Sequence, residues 1–127
     1  MTRILSNEDV DSVLTMPDCI AILEDAYRDL HAGTALTRRR SDCLVPSDRE
    51  GAIYGFKSMD GVIPGQGVSA IRLNSDIVTW PQVEGKMRRV KVPTAPNNRW
   101  VGLILLFSTE NAEPLAIRIP LIPWWST

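Results

Sequence analysis

The side chains best suited to chemistry in this sequence are cationic. Three consecutive arginines, Arg38, Arg39 and Arg40, stand directly before an apolar run, and Lys57 stands at the end of the next run. Arginine presents a planar, permanently charged fork that can grip a carboxylate with two hydrogen bonds, and lysine presents a compact charge. A polar turn over residues 47–51 joins the two runs, which indicates an antiparallel pair of strands. An arginine and a lysine on neighbouring strands suit an anionic small molecule such as an amino acid or an oxo acid.

The alternation of side chains along a strand decides which of these cations can meet. In the second run it places Gly55 and Lys57 on the same face. Gly55 leaves an open spot beside the lysine that suits a ligand, although a glycine inside a strand can equally mark a bulge. In the first run Arg38 and Arg40 are predicted to share a face that Arg39 opposes. The alternative to a binding site is a pair of solvated cations on opposite faces of the sheet.

Two helices are predicted ahead of the first of these strands. Ser6 followed by Asp9 is a capping pattern that starts a short helix, and Thr15 with Asp18 repeats the pattern for a second one. Gly33 is placed to end the second helix. An amphipathic stripe runs along that helix at helical spacing, through Ile20, Leu23, Tyr27 and Leu30.

From Thr37 onward the sequence changes to short β-type runs separated by Gly, Pro, Asn and Asp clusters. The predicted strands are 41–45, 52–57, 68–73, 88–92, 101–107 and 115–119. The run V-G-L-I-L-L-F is apolar at consecutive positions, so it should be a central strand buried on both faces. The stretch 79–98 is predicted to be a long excursion with one edge hairpin. The fold class is therefore α+β, with two N-terminal helices followed by a mostly antiparallel β-sheet.

The segment G-Q-G-V-S-A at residues 65–70 fits the dinucleotide fingerprint G-x-G-x-x-A. That fingerprint works because a strand precedes it and the N-terminus of a helix follows it to meet the pyrophosphate. Here Pro64 precedes the segment and a β-type run follows. The segment is therefore predicted to be a turn.

Composition excludes several classes of function. Charged residues make up 23% and the formal net charge is −1, so no global field favours nucleic acid or a membrane surface. The N-terminus lacks the apolar core of a signal peptide and no run is long enough to span a membrane, so a cytoplasmic location is expected. One histidine and scattered acids give no metal-ligand set. Cys19 and Cys43 lack C-x-x-C spacing and are predicted to be reduced, small core residues.

Four motifs follow one another along the chain: R-S-D-C-L-V-P, G-F-K-S-M-D-G-V-I-P-G-Q-G, N-S-D-I-V-T-W-P and V-G-L-I-L-L-F-S-T-E-N-A-E-P-L-A-I. Together with the opening I-L-S-N-E-D-V they resemble the N-terminal half of the ornithine cyclodeaminase / mu-crystallin family. The likeness covers roughly residues 3–117. It looks closest to a branch with a long insertion before the L-I-L-L-F strand, which includes proteins named as a tyramine oxidase subunit.

The resemblance implies that residues 1–117 form a domain that binds substrate and makes a homodimer. Family members bind NAD or NADP on a separate Rossmann domain and act on amino acids or cyclic imines. Arg40 and Lys57 match the positions that hold the carboxylate of the amino acid or imino acid. Arg39 is the alternate for Arg40, because the triple arginine blurs the register by one. No catalytic, cofactor-binding or metal-binding residue carries over to this chain.

Residues 118–127, R-I-P-L-I-P-W-W-S-T, depart from the family pattern. The family continues into a D-G turn, a helix with a further carboxylate-binding arginine, and the Rossmann domain with the catalytic aspartate. Pro120 and Pro123 forbid such a helix, and Trp124 and Trp125 would expose a large apolar area. The expectation is an N-terminal fragment with an out-of-pattern tail and no Rossmann domain, as a frameshift or a truncated gene would give.

Two classes of function stay open on the sequence. The first is the substrate-binding and dimerisation domain of an NAD(P)-dependent amino-acid deaminase or dehydrogenase resembling ornithine cyclodeaminase, inactive alone. The second is a non-enzymatic small-molecule-binding or structural module of the mu-crystallin type. A half that works with a separate Rossmann chain is a third. The lack of a βα-type glycine motif argues against redox activity of the chain alone but does not separate these classes.

Overall fold

The computed structural model describes residues 1–96, 99–119 and 122–123. Its helices are α1 (Asn7–Val13) and α2 (Met16–Ala32), and a 3-10 turn covers Pro64–Gln66. The strands are β1 (Arg3–Leu5), β2 (Leu36–Thr37), β3 (Ser41–Pro46), β4 (Ala52–Ile63), β5 (Val68–Thr79), β6 (Gln82–Val83), β7 (Lys86–Met87), β8 (Val90–Val92), β9 (Arg99–Ser108), β10 (Pro114–Arg118) and β11 (Ile122–Pro123).

Both helices begin where their sequence signals predict. The Ser6 hydroxyl accepts from the Asp9 N–H while the Asp9 carboxylate accepts from the Ser6 N–H, and Thr15 and Asp18 repeat this reciprocal pair at α2. Gly33 ends α2 in the left-handed region, with φ 78°. Within the described residues no helix is long and apolar enough to cross a membrane.

Nine of the described strands form one sheet in the order β1-β10-β9-β5-β4-β2, with β11 on β9, β3 on β4 and β8 on β5. The pair β1–β10 is parallel, and the other described pairs of this sheet are antiparallel. The predicted α+β class with a mostly antiparallel sheet is confirmed. The long apolar run forms β9 and lies between β10 and β5, as expected of a central strand.

The two longest described strands extend well beyond their predicted ends. β4 and β5 each have 12 residues and pair along their whole length, from Ala52 opposite Thr79 to Ile63 opposite Val68. The D-G and N-S-D groups that suggested strand ends lie inside the ladder instead. Each strand supplies hydrogen-bond partners for the other, and this tertiary pairing outweighs the turn propensity of those residues. Lys57 consequently lies in the middle of β4 and not at its end.

The excursion after β5 contains the predicted hairpin, made by β6 and β7. Its two-residue turn has Glu84 at φ 51° and Gly85 at φ 76°, the positive values that a type I′ turn needs. β8 then returns to pair with the end of β5. Asn97 and Asn98, which belong to the predicted excursion, lie outside the described residues.

The sheet is less deeply buried than the sequence predicts. The buried apolar residues of the described part are Ala35, Ala52, Val78 and Ala116, and of these only Val78 is fully buried. In β9, Val101 is 43% exposed and residues 102–108 are half-buried, so the prediction of burial on both faces is wrong. The stripe of α2 is also exposed, with Tyr27 at 68%. α2 covers only one end of one sheet face, where an apolar cavity of about 210 Å³ separates it from the strands.

The two cysteines are not core residues. Cys43 is exposed and Cys19 is half-buried, and both are free thiols. The prediction of two small core residues is wrong. Among the described strands β3 pairs only with β4, and every residue of β3, including Cys43, is exposed. Cys19 lies on α2, which buries none of its residues.

The predicted boundary between residues 117 and 118 stays a prediction. β10 continues through Arg118, the Ile119 N–H donates to the Leu5 carbonyl at 3.4 Å, and Ile122 pairs with Trp100 of β9. The rest of the predicted tail, residues 120–121 and 124–127 with its two tryptophans, lies outside the described residues.

The cap of α2 gives a direct test of the local part of the fold. Thr15→Ala removes the acceptor of the Asp18 N–H, so the free energy of unfolding should fall by about 1 kcal/mol. Urea unfolding followed by circular dichroism measures it. Thr109→Ala is the control, because the exposed Thr109 side chain makes no hydrogen bond among the described residues, and it should cost less than about 0.5 kcal/mol. Equal losses in the two variants would contradict the role of the cap.

Candidate functional site

Lys57 is buried in the middle of the sheet. It lies opposite Asp42 of β3 and Asn74 of β5, and its side chain is only 4% exposed. A buried ammonium needs a counter-charge, because leaving water without one is costly. Asp76 of β5 supplies it, with its Oδ2 3.1 Å from Lys57 Nζ. The Asp76 side chain is 2% exposed, so both members of the ion pair are almost fully buried.

Gly55 makes room for this ion pair. It lies opposite both Leu44 and Asp76, one step along the lysine's face of the sheet, in a regular register without a bulge. A Cβ on Gly55 would come within 3.2 Å of Lys57 Cε and 3.1 Å of Leu44 Cδ2. The open spot predicted beside Lys57 is therefore filled by the lysine's own side chain, which crosses the glycine to reach Asp76.

A second lysine reaches the same carboxylate oxygen. Lys91 of β8 lies opposite Val78, and its Nζ is 3.1 Å from Asp76 Oδ2. Unlike Lys57, Lys91 is 44% exposed. One carboxylate between two ammonium groups leaves a net positive charge at this point of the sheet.

Arg40 faces the same side of the sheet as Lys57. It directly precedes Ser41, which lies opposite Ser58, so Arg40 lies beside Met59. Its guanidinium grips Asp42 as a fork, with Nε 2.8 Å from Oδ1 and Nη2 3.0 Å from Oδ2. The arginine expected to hold a ligand carboxylate thus holds a carboxylate of the protein in this structure.

A one-residue irregularity separates the arginines. Thr37 lies opposite Gly61 and Ser41 lies opposite Ser58, so three residues on one side face two on the other. This is the pattern of a β-bulge, which shifts the faces of the side chains that follow it. The prediction that Arg38 and Arg40 share a face is wrong for this reason.

Arg38 is engaged on the other face, where it pairs with Asp60. Its backbone N–H donates to the Asp60 carbonyl, and its Nε and Nη2 each lie 2.8 Å from the Asp60 carboxylate. These hydrogen bonds lower the pKa of Asp60 and raise the pKa of Arg38 from their ordinary values. Arg38 therefore lies on the face of the sheet away from Lys57 and cannot bind a ligand together with it.

Arg40 and Lys57 line one cavity of about 340 Å³. This volume lies at the lower end of the range for small-molecule sites. Arg39 does not line the cavity. The lining residues are Arg40, Lys57, Ser58, Met59, Arg72, Asn74, Arg89 and Lys91. Five of these eight are cations, and the carboxylates that contact them are Asp42 and Asp76, so the cavity carries a surplus of positive charge.

Most of this lining was not predicted from the sequence. Arg72, Asn74 and Asp76 alternate along β5, and alternation places all three on the face of Lys57. The strand was predicted to end at Leu73, which separated Asp76 from the pattern. Alternation continued through Thr79 would have predicted that the three side chains share one face.

The glycines at residues 65–67 belong to the turn between antiparallel β4 and β5, as predicted, and β5 rather than a helix follows them. Among the described residues no group of three or more His, Cys, Asp or Glu could hold a metal. The cations that line the cavity can bind and orient an anion.

Comparison with known proteins shows which solved structures share this fold. No protein-family model matches the sequence, and no curated protein matches it either. Among solved structures, a probable ornithine cyclodeaminase from Bordetella pertussis Tohama I matches 94% of this chain and 30% of its own, with 21% identity and a TM-score of 0.63. An archaeal alanine dehydrogenase dimer with bound NAD matches 93% of this chain and 31% of its own, with 20% identity and a TM-score of 0.61.

A third structure is Thermococcus litoralis Δ1-pyrroline-2-carboxylate reductase in complex with NADH and L-proline. It matches 93% of this chain and 32% of its own, with 16% identity and a TM-score of 0.59. The chain therefore has a fold found in ornithine cyclodeaminase and related NAD-dependent dehydrogenases. It spans about a third of the length of these neighbours.

The ion pair of Lys57 and Asp76 should dominate the stability of the site. Lys57→Met should lower the free energy of unfolding by about 3–5 kcal/mol, because it removes the buried partner of a buried carboxylate. Lys91→Met is the matched control on the same oxygen, and it should cost about 1 kcal/mol or less because Lys91 is half in water. Thermal and urea unfolding of both variants measure the difference.

The double variant Lys57→Met with Asp76→Leu separates charge from packing. It should regain much of the lost stability, because the Asp76 carboxylate no longer stays buried without its buried partner. Two results would contradict a stabilising role of the ion pair. One is a double variant as unstable as Lys57→Met, and the other is an equal loss of unfolding free energy in Lys57→Met and Lys91→Met.

Proposed function

We propose that this chain is the substrate-binding part of an NAD(P)-dependent amino-acid enzyme of the ornithine cyclodeaminase / mu-crystallin family. The observation that carries the proposal is the cationic cavity, in which Arg40 and the buried Lys57 converge. The shared fold supports it, because the neighbours include an alanine dehydrogenase and a pyrroline-carboxylate reductase. Hydride transfer would require a nicotinamide cofactor bound by residues other than those described, and this chain would contribute capture of the amino or imino acid.

The two cations would bind the carboxylate in different ways. An ammonium has three N–H donors, and Lys57 gives one to Asp76, so it can bind a ligand oxygen without leaving its ion pair. Arg40 donates hydrogen bonds from Nε and Nη2 to Asp42, so its Nη1 is left to donate a hydrogen bond to a ligand. Asp42 would then hold the arginine in place as a second carboxylate approaches. Fixed positive charge in a partly desolvated cavity would give charge-assisted hydrogen bonds of about 1.5–3 kcal/mol each.

We also propose that the chain forms a homodimer. Large apolar side chains are exposed on α2 and on β3, among them Tyr27 at 68%, Leu23 at 55% and Val45 at 53%. Exposed large apolar side chains that together form a patch are typical of a protein–protein interface, and those of α2 and of β3 are the candidates for such patches. The archaeal alanine dehydrogenase neighbour is itself a dimer.

Binding of a monocarboxylate tests the site. L-proline titrated into the isotopically labelled chain should bind, and L-prolinamide, which lacks the carboxylate, should not. Arg40→Gln should weaken L-proline binding by about tenfold or more through loss of a charge-assisted hydrogen bond. Arg39→Gln is the matched control and should leave the affinity within about twofold.

Three results would count against this assignment. A loss in Arg39→Gln with none in Arg40→Gln would move the role to Arg39. No loss in either variant would remove the arginines from the site. Equal binding of proline and prolinamide would mean that the cavity does not recognise a carboxylate at all.

Self-association gives a separate test of the dimer. Sedimentation velocity should show a dimer or a larger species at tens of micromolar chain, because the exposed apolar faces gain by mutual burial. Tyr27→Glu should shift the distribution toward monomer, and Glu24→Gln, a neutralisation of an exposed side chain on the same helix, should not. A stable wild-type monomer at high concentration would refute the dimer.

A further inference from the structure

The apolar cavity between α2 and the sheet is large enough to hold part of a small molecule. Its volume is about 210 Å³, and α2 supplies one wall through Ala26 and Leu30. The sheet supplies the other wall, where Gly61 of β4 lies opposite Ala70 of β5. No charged side chain is among the described residues that line this cavity. Since an apolar cavity of about 150 Å³ in a protein core can bind benzene, this space can take an apolar group of similar size.

The apolar cavity and the cationic cavity lie on the same face of the sheet. The side chains of β4 alternate without a bulge, so Lys57, Met59 and Gly61 share that face. Met59 lines the cationic cavity and Gly61 lines the apolar one. On β5 the matching residues are Arg72, opposite Met59, and Ala70, opposite Gly61. One step of the alternation, about 7 Å, therefore separates the rows of residues that line the two cavities.

The proposed carboxylate site lies close to this apolar space. Arg40 lies beside Met59, and its guanidinium turns toward Asp42, which lies opposite Lys57. A carboxylate held by Arg40 and Lys57 would be one to two steps from Gly61, about 7–14 Å along the strand. Met59 lies between the two, and its unbranched, flexible side chain can adapt to a neighbouring group. A ligand of sufficient length can therefore reach from the cations to the apolar cavity across Met59.

We propose that the site takes an amino or imino acid with a long apolar side chain, and that the end of this side chain lies in the apolar cavity under α2. This inference rests on the proposed function, in which Arg40 and Lys57 hold the carboxylate. The charged head and the apolar tail of such a molecule match the order of the two cavities along the sheet. A short side chain would leave the apolar cavity empty, although close-packed protein interiors contain few voids of this size.

The ordinary alternative is that the apolar cavity is a packing gap that no ligand enters. The two cases differ in how the affinity depends on the length of the ligand. If the cavity is only a gap, a longer side chain stays in water and adds nothing to the affinity. If the side chain enters the cavity, each methylene group that leaves water strengthens binding.

The test compares L-alanine with L-2-aminodecanoate, which share a head group and differ only in the length of an apolar side chain. Both are titrated into the isotopically labelled 127-residue chain, and the methyl signals of Ala26 and Ala70 are followed by NMR. L-2-Aminodecanoate should bind about tenfold or more tightly, because burial of two methylene groups already gives that factor. It should also shift both methyl signals, which L-alanine should leave in place.

Filling the apolar cavity should remove the preference for the longer amino acid. Ala26→Leu adds volume to the helix wall with little change in helix propensity, and it should reduce the ratio of the two affinities to about twofold or less. Ala70→Leu fills the cavity from the sheet side and should act in the same direction. Ala21→Leu is the matched control, because Ala21 is exposed on the same helix and does not line the cavity, and it should keep the wild-type ratio. Circular dichroism establishes that each variant is folded.

The outcomes separate this inference from the proposed function. Equal affinities of the wild-type chain for the two amino acids, with both weakened by Arg40→Gln, would overturn the inference and leave the carboxylate site standing. No binding of either amino acid would overturn both. A preference for L-2-aminodecanoate that survives in both Ala26→Leu and Ala70→Leu, or that Ala21→Leu reduces as much, would also overturn the inference, because the side chain would then bind outside the cavity.

Discussion

A buried carboxylate shared by two lysines fixes the centre of this molecule. Asp76 is almost fully enclosed, and a charge in that position persists only with a partner that is equally well placed. Lys57 can be that partner because Gly55 has no side chain, which lets the lysine lie across the strand toward β5. Lys91 then ties β8 to the same oxygen. This single carboxylate therefore links β4, β5 and β8 beside the cavity.

The same arrangement explains why a cationic cavity can exist here at all. Five cations around one space repel one another, and a sheet face bearing them alone would be unfavourable. Asp42 and Asp76 neutralise part of the charge from within the strands and hold Arg40 and Lys57 in defined positions. Binding of an anion would neutralise positive charge of the cavity that Asp42 and Asp76 leave uncompensated. Arg40 and Lys57 are therefore held in position before a ligand binds, while part of the positive charge of the site stays unpaired.

The sequence predicted what is decided locally and missed what is decided by pairing. The caps of α1 and α2 involve residues three apart, and both were predicted correctly. The predicted ends of β4 and β5 were wrong, because Asp60-Gly61 and the N-S-D group favour turns in isolation. Only pairing with the opposite strand keeps these residues extended. Arg40 and Lys57 were expected to meet and do line one cavity. The partner of Lys57, Asp76, lies 19 residues further along the chain, and no local pattern connects the two.

The bulge at the triple arginine makes Arg39 a surplus residue in the ladder. Arg38 is paired with Asp60, and Arg40 lies beside Met59. Removing Arg39 would leave those two neighbours opposite consecutive residues of β4, with each side chain still on its own face. Removing a residue from β3 itself would instead turn every later side chain over. A one-residue deletion at the bulge therefore keeps each side chain of the site on its own face of the sheet. A one-residue deletion within β3 does not.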